Sequence, residues 1–141
     1  MQETLYKAKH RNNGEWKEGY FAKAKWYCGE KEMFVIFPKD LCIYPHCEVS
    51  EFEEVDEKTL CRCTGIRDKQ GKMIWENDIV KKVDVNPLGW ARERICTVSF
   101  NKLGYWELIT TYGDGYFIGD FDAEQLEVIG NVFDNPELLK V

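Results

Sequence analysis

Apolar and polar positions alternate with a period of two along most of this chain, in runs short enough to be strands. Leu5 to His10 alternates, Asn12-Asn13-Gly14 interrupts, and Trp16 to Phe21 resumes. Asn-Gly between alternating runs predicts a β-hairpin, because both residues tolerate positive φ. Ala22 to Cys28 predicts a further strand, with Trp26 and Cys28 opposite Tyr27, and Gly29-Glu30-Lys31-Glu32 turns the chain. Met33 to Phe37 is apolar at every position and predicts a strand covered on both faces, ended by Pro38. Leu41 to Tyr44 is a shorter run closed by Pro45. In the acidic stretch Glu48 to Lys58, Val49, Phe52 and Val55 recur every third residue. That spacing fits one helical turn or an edge strand, and the stretch reads as a connector between two halves.

The second half is strand upon strand. Ile74 to Val85 reads as the longest, with Ile79, Lys81, Val83 and Val85 on one face and Val80, Lys82 and Asp84 on the other. Asn86-Pro87-Leu88-Gly89 predicts a turn, and Ile95 to Phe100 alternates. Asn101-Lys102-Leu103-Gly104 turns again, and Tyr105 to Thr111 and Tyr116 to Ile118 follow around Gly113-Asp114-Gly115. Asp122 with Gln125 resembles a capping box, Leu126 to Phe133 returns to β, and Asn135-Pro136-Glu137 is a helix start. The prediction is a mainly β fold, with an N-terminal β-hairpin region over 1–58 and short helical turns. Over 59–141 it predicts a small, strongly curved sheet closing into a barrel, which removes exposed edges. The two regions could equally form one intimate unit.

Composition narrows the class. The 141 residues are 44% apolar and 14% aromatic, which excludes a disordered chain. No apolar run approaches the length of a membrane span, and the first residues lack the apolar stretch of a secretory signal. The net charge of −6 is shared evenly between the halves, yet no Lys or Arg occurs from Leu103 to Leu139. An acidic chain disfavours broad nucleic-acid binding. Two local basic strips remain as candidates: Arg62, Arg67, Lys69 and Lys72, or Lys81, Lys82, Arg92 and Arg94. Six cysteines at irregular spacing, without an export signal, predict reduced thiols and an intracellular protein. Cys42, His46 and Cys47 form the densest metal-ligand cluster, which Cys61 and Cys63 could complete in space.

Catalytic equipment is sparse. Glu76 and Asp78 would share a face of an extended strand, a pairing that acid–base chemistry could use. Asp120 to Asn131 begins like a calcium loop but has Gln125 where a glycine is needed. No phosphate-binding glycine loop is present. The sequence therefore predicts no enzyme, no catalytic or metal residue and no cofactor. Trp90, Arg92, Arg94, Tyr105, Trp106 and Tyr112 form the candidate binding surface, since clustered Trp, Tyr and Arg suit a peptide or single-strand platform.

Two stretches are more specific than composition. Thr64-Gly65-Ile66-Arg67-Asp68-Lys69-Gln70-Gly71-Lys72-Met73-Ile74-Trp75-Glu76-Asn77-Asp78-Ile79-Val80 is the first, and Val128-Ile129-Gly130-Asn131-Val132-Phe133-Asp134-Asn135-Pro136-Glu137-Leu138-Leu139 is the second. Together they resemble the YopX family of phage and prophage proteins, and Asn13 to Tyr20 is similar to that family's N-terminal hairpin. Asn77 stands where the family has Gly, a substitution suited to positive φ. Cys61 and Cys63 replace other residue types, so they are not family-wide metal ligands. The resemblance implies an SH3-like barrel of uncharacterised function, a phage accessory protein in the bacterial cytoplasm, and a homo-oligomer. The predicted role is a non-enzymatic module that binds a host or phage protein or assembles with itself. A nucleic-acid-associated regulator using a basic and aromatic strip is the alternative.

Overall fold

The computed structural model describes residues 5–25, 32–38 and 52–140. The chain is mainly β, in antiparallel sheets, with only short 3-10 turns beside the strands. It divides into two compact units, Met1–Arg62 and Cys63–Val141. The division falls inside a strand, close to the boundary expected at position 58.

In the first unit β1 (Tyr6–Lys9) pairs with β2 (Trp16–Lys25), β2 with β3 (Glu32–Phe37), and β3 with β4 (Glu53–Glu54). The start of β5 (Cys61–Arg67) adds to β1 through Tyr6↔Arg62 and Lys7↔Cys61. The hairpin turn differs from the Asn-Gly expectation. Only Gly14 takes positive φ, at 71°, and the His10 N–H donates to the Glu15 carbonyl at 2.7 Å. Arg11 to Gly14 thus form a longer loop, in which the Asn13 side chain accepts the Glu15 N–H instead of bending its own backbone.

Within the described residues, β2 runs unbroken where two strands were expected. Gly19 lets β3 approach closely, because a Cβ there would collide with the Phe37 carbonyl. The apolar run of β3 is buried on both faces: Met33 and Val35 on one, Ile36 on the other. Ala8, Ile36 and Val55 form the core, with Tyr6, Phe34 and Leu60 against it. Around Phe52 and Val55 the edge-strand reading holds, as β4, while the 3-10 turn Glu57–Thr59 lies beyond that spacing. The Leu41–Tyr44 run, Trp26 to Cys28, and Cys42, His46 and Cys47 lie outside the described residues.

The second unit contains β6 (Met73–Trp75), β7 (Asp78–Val85), β8 (Ala91–Phe100), β9 (Trp106–Thr110), β10 (Gly115–Phe117) and β11 (Leu126–Asn131). The rest of β5 pairs with β6, with a bulge around Gly65. The other five strands follow the order β10-β9-β8-β7-β11. No ladder joins β10 to β11 among the described residues, so the order is open. Ile74, Val80, Cys96, Val98, Leu108, Ile118 and Leu126 form the core.

The expected long strand Ile74–Val85 is two strands. Asn77, at φ 69°, breaks it between β6 and β7. Its N–H donates to the Val98 carbonyl and its carbonyl accepts the Val132 N–H, so the turn is tied to β8 and to the chain after β11. The predicted helix start at Asn135 yields only a 3-10 turn, Pro136–Leu139. The Asn135 side chain is engaged elsewhere, accepting the Asn131 N–H at 3.2 Å.

Candidate functional site

Three hairpins of the second unit share one local design. Asn86, Asn101 and Thr110 each open a turn whose fourth residue is a glycine with φ near 90°: Gly89 at 85°, Gly104 at 93° and Gly113 at 92°. Each glycine N–H donates to the carbonyl of the opening residue at 2.9 Å. The opening side chains accept backbone N–H groups, as Asn86 Oδ1 does from Leu88 and Trp90 at 3.0 Å each. This is the three-residue hairpin loop with a glycine bulge. The third position of each turn faces water, and there the chain places Leu88, Leu103 and Tyr112, all at least 77% exposed.

β7 and β8 project past their neighbours. β8 pairs with β7 from Ala91 to Thr97 but with β9 only from Cys96 onward. Among the described residues, 91–95 therefore form an arm with a partner strand on one side alone. The arm carries Val85 at 60% exposed, Leu88 and Trp90 at 73%. Large apolar side chains at a hairpin tip gain nothing from burial there.

Two depressions flank the arm. One, of about 280 Å³, lies between Arg92 to Ile95, Thr110 to Tyr112, and Leu138 with Lys140. The other, of about 490 Å³, lies among Asp84, Val85, Trp90, Arg92 and Arg94. The structure thus brings Trp90, Arg92, Arg94 and Tyr112 together. It separates the other two expected site residues. Trp106 packs on the core and meets Phe100 edge-on at 4.9 Å between ring centres. Tyr105 meets Phe117 edge-on at 5.4 Å. Sequence reasoning missed Val85, Leu88, Ile95 and Leu138. For Leu88 the available signal was an apolar residue within a hairpin turn, where burial is not on offer; Val85 and Ile95 lie in strands and carry no such signal.

The basic strips are reshaped. Lys82 is fully buried, its ammonium 2.7 Å from Asp84 Oδ2 and 3.9 Å from the centre of the Tyr116 ring. It cannot belong to a surface strip. Lys81 pairs with Glu93 at 3.6 Å and Lys69 with Glu127 at 3.0 Å, while Arg67 donates to the Gly71 carbonyl. Arg94 donates to the Tyr116 hydroxyl at 3.2 Å, and Arg92 is exposed.

The carboxylate pair separates too. The turn at Asn77 lies between Glu76 and Asp78, and Asp78 is buried with its Oδ2 accepting the Trp75 N–H at 2.8 Å. Asp78 thus braces a turn.

The two specific sequence stretches meet in space. Burial of the Asp68 carboxyl favours its neutral form, but it accepts N–H groups from Val128, Lys72 and Gln70, and these with the Lys72 charge hold it below its ordinary 3.8. Lys69 N–H donates to the Leu126 carbonyl at 2.9 Å. The motif residues are thus joints of the fold. Among the described cysteines, Cys61 and Cys96 are buried thiols and Cys63 is half-buried, and no cluster of metal-ligating side chains occurs among the described residues.

No curated protein matches the chain. The family model described as YopX protein matches residues 37–140. The span contains both joined stretches and the projecting arm, while the hairpin at Asn13 to Tyr20 precedes it. The chain belongs to the YopX protein family.

Proposed function

We propose that this chain is a non-enzymatic protein-binding module whose contact surface is the β7–β8 arm. One observation carries the reading. Trp90, Leu88 and Val85 are exposed together on a hairpin that extends beyond the sheet, beside Arg92 and Tyr112. Exposed Trp, Tyr and Arg are the residues that dominate protein interfaces. Protein is favoured over nucleic acid because Lys82 is buried and Lys81 and Lys69 face carboxylates. An SH3-like frame for the arm is supported by the meander of β7 to β10, the 3-10 turns and β11 returning beside β7, in a sheet left open between β10 and β11. The family resemblance supports an accessory role for a phage inside its bacterial host.

Selection of a displayed random peptide library on the intact protein tests this. Enriched peptides should bind the parent and lose at least ten-fold in affinity against Trp90→Ala. If nothing enriches, or the variant binds equally, the reading falls. Self-assembly through the same arm is its other form. Sedimentation velocity would then show the oligomer of the parent dissociating in Trp90→Ala.

A further inference from the structure

The outer edge of the arm has the backbone of an unfinished sheet. The Asn86 N–H donates to the Trp90 carbonyl at 3.0 Å, which makes Asn86 and Trp90 a hydrogen-bonded pair. Such pairs alternate along an antiparallel ladder. Arg92 and Arg94 therefore turn their backbone toward β7, opposite Asp84 and Lys82. Ala91, Glu93 and Ile95 turn theirs outward. The next hairpin gives the same parity: Asn101 N–H donates to the Tyr105 carbonyl at 2.7 Å, so Ser99 and Thr97 face β9. Past Cys96↔Thr110, no strand continues the ladder among the described residues.

We infer that this edge accepts an acidic, extended peptide as an additional strand. The inference deepens the protein-binding reading and rests on it. Charge selects the occupant. Arg92, Arg94 and Lys140 line the groove along the edge. Among the described lining residues the one carboxylate, that of Glu93, is held by Lys81 at 3.6 Å, and Arg94 also lies 4.0 Å from Asp84 Oδ2. A basic groove on a chain of net charge −6 selects carboxylates. A second copy of the same edge is disfavoured by register. Antiparallel self-pairing that engages at least two of the outward residues 91, 93 and 95 on each copy sets Arg92 against Arg94, Arg92 against itself, or Arg94 against itself. Like charges directly opposite each other oppose pairing. Arginines on an edge also guard it against indiscriminate aggregation. A purely guarded edge would have no reason to expose Tyr112 and Trp90 beside it.

The geometry sets which peptide atoms matter. A residue opposite Arg92 or Arg94 in an added antiparallel strand turns its own N–H away from β8. A residue opposite Glu93 turns its N–H toward it. Acidic side chains should therefore alternate with apolar ones, and the apolar residues carry the strand hydrogen bonds.

The probe is the blocked peptide acetyl-Thr-Glu-Val-Glu-Val-Thr-amide, titrated into the intact protein and followed by amide NMR. Expected are shifts of the Ala91, Glu93 and Ile95 amides. N-methylation of the two valines should weaken binding at least ten-fold, while N-methylation of the two glutamates leaves it unchanged. The Lys-for-Glu peptide should not bind. Glu93→Pro removes the outward N–H and the ion pair with Lys81 but no hydrogen bond to β7, so it should keep the parent's amide spectrum outside the arm and lose the peptide. Equal effects of the two methylations, or shifts outside the arm, overturn strand addition. So do self-association of the edge and displacement of the peptide by a single-stranded oligonucleotide. Peptides that enrich from the library and need Trp90 but tolerate valine methylation would leave the module reading intact and remove this one.

Discussion

The Lys82 ammonium sits 3.9 Å from the centre of the Tyr116 ring, on a side chain with no exposed surface. Asp84 Oδ2 holds it at 2.7 Å, and the Phe121 ring lies 4.9 Å away. A cation here takes the place of an apolar core residue.

Removing the two partners of this pair should therefore differ. Asp84→Asn leaves a buried ammonium with only aromatic faces and is expected to destabilise the protein by about 1–3 kcal/mol. Lys82→Met keeps the packed stem and removes the charge, so it should change stability by less than about 1 kcal/mol. Urea unfolding monitored by tryptophan fluorescence checks the ordering. A larger loss in Lys82→Met would show that the charge itself holds β7 in place.

Asp68 makes an acid-sensitive joint. In the folded chain its carboxyl ionises below 3.8, while in the unfolded chain it ionises near that value. The unfolded state binds the proton first, so the contribution is complete above about pH 4 and is lost as pH falls through the folded pKa. Asp68→Asn cannot accept all three N–H groups. It should destabilise at neutral pH by about 1–3 kcal/mol and flatten the acid limb of the stability curve. Thermal melts from pH 7 down to 3 measure both.

Gly19 has no tolerant substitution. Alanine there collides with the Phe37 carbonyl, which is backbone and cannot swing away. Gly19→Ala should lower stability by more than about 3 kcal/mol and broaden the amide signals of β2 and β3. Gly14→Ala serves as the control. Its Cβ meets nothing, only the positive φ is penalised, and about 1 kcal/mol is expected.

Cysteine labelling separates the second unit's two described thiols. Burial raises the Cys96 thiol to about 11 from 9.0, although Lys82 nearby favours the thiolate. At pH 8 iodoacetamide should modify half-buried Cys63 within minutes and reach Cys96 only on unfolding. Between pH 9 and about 11 the unfolded chain loses this proton while the folded one keeps it, so stability should decline across that window. Mass spectrometry of labelled peptides and alkaline melts provide the readings.

The strand pattern was legible because period-two alternation survives wherever one face is buried, as from Ile95 to Phe100. It failed where a single residue changes the backbone. Asn77 splits one alternating run into two strands, while β2 runs through the break expected between Phe21 and Ala22. Half the candidate surface was also legible. Trp90 and Tyr112 lie next to turns and stay exposed, while Trp106, one residue into a strand of the right parity, packs on the core. Lys82 was misplaced because periodicity reports a face and not its chemistry. The core face of β7 ends in an ion pair instead of another aliphatic residue.

β11 pairs with β7, the strand that begins the meander, and Asp68 reaches sixty residues along the chain to the Val128 N–H. On a ribosome, β7, β8 and β9 emerge well before the strand that completes them. Until β11 has been synthesised, β7 has one open side and Asp68 Oδ2 lacks the Val128 N–H. The second unit is therefore laid down as a waiting sheet and locked by its last strand, so its formation is timed by translation of β11.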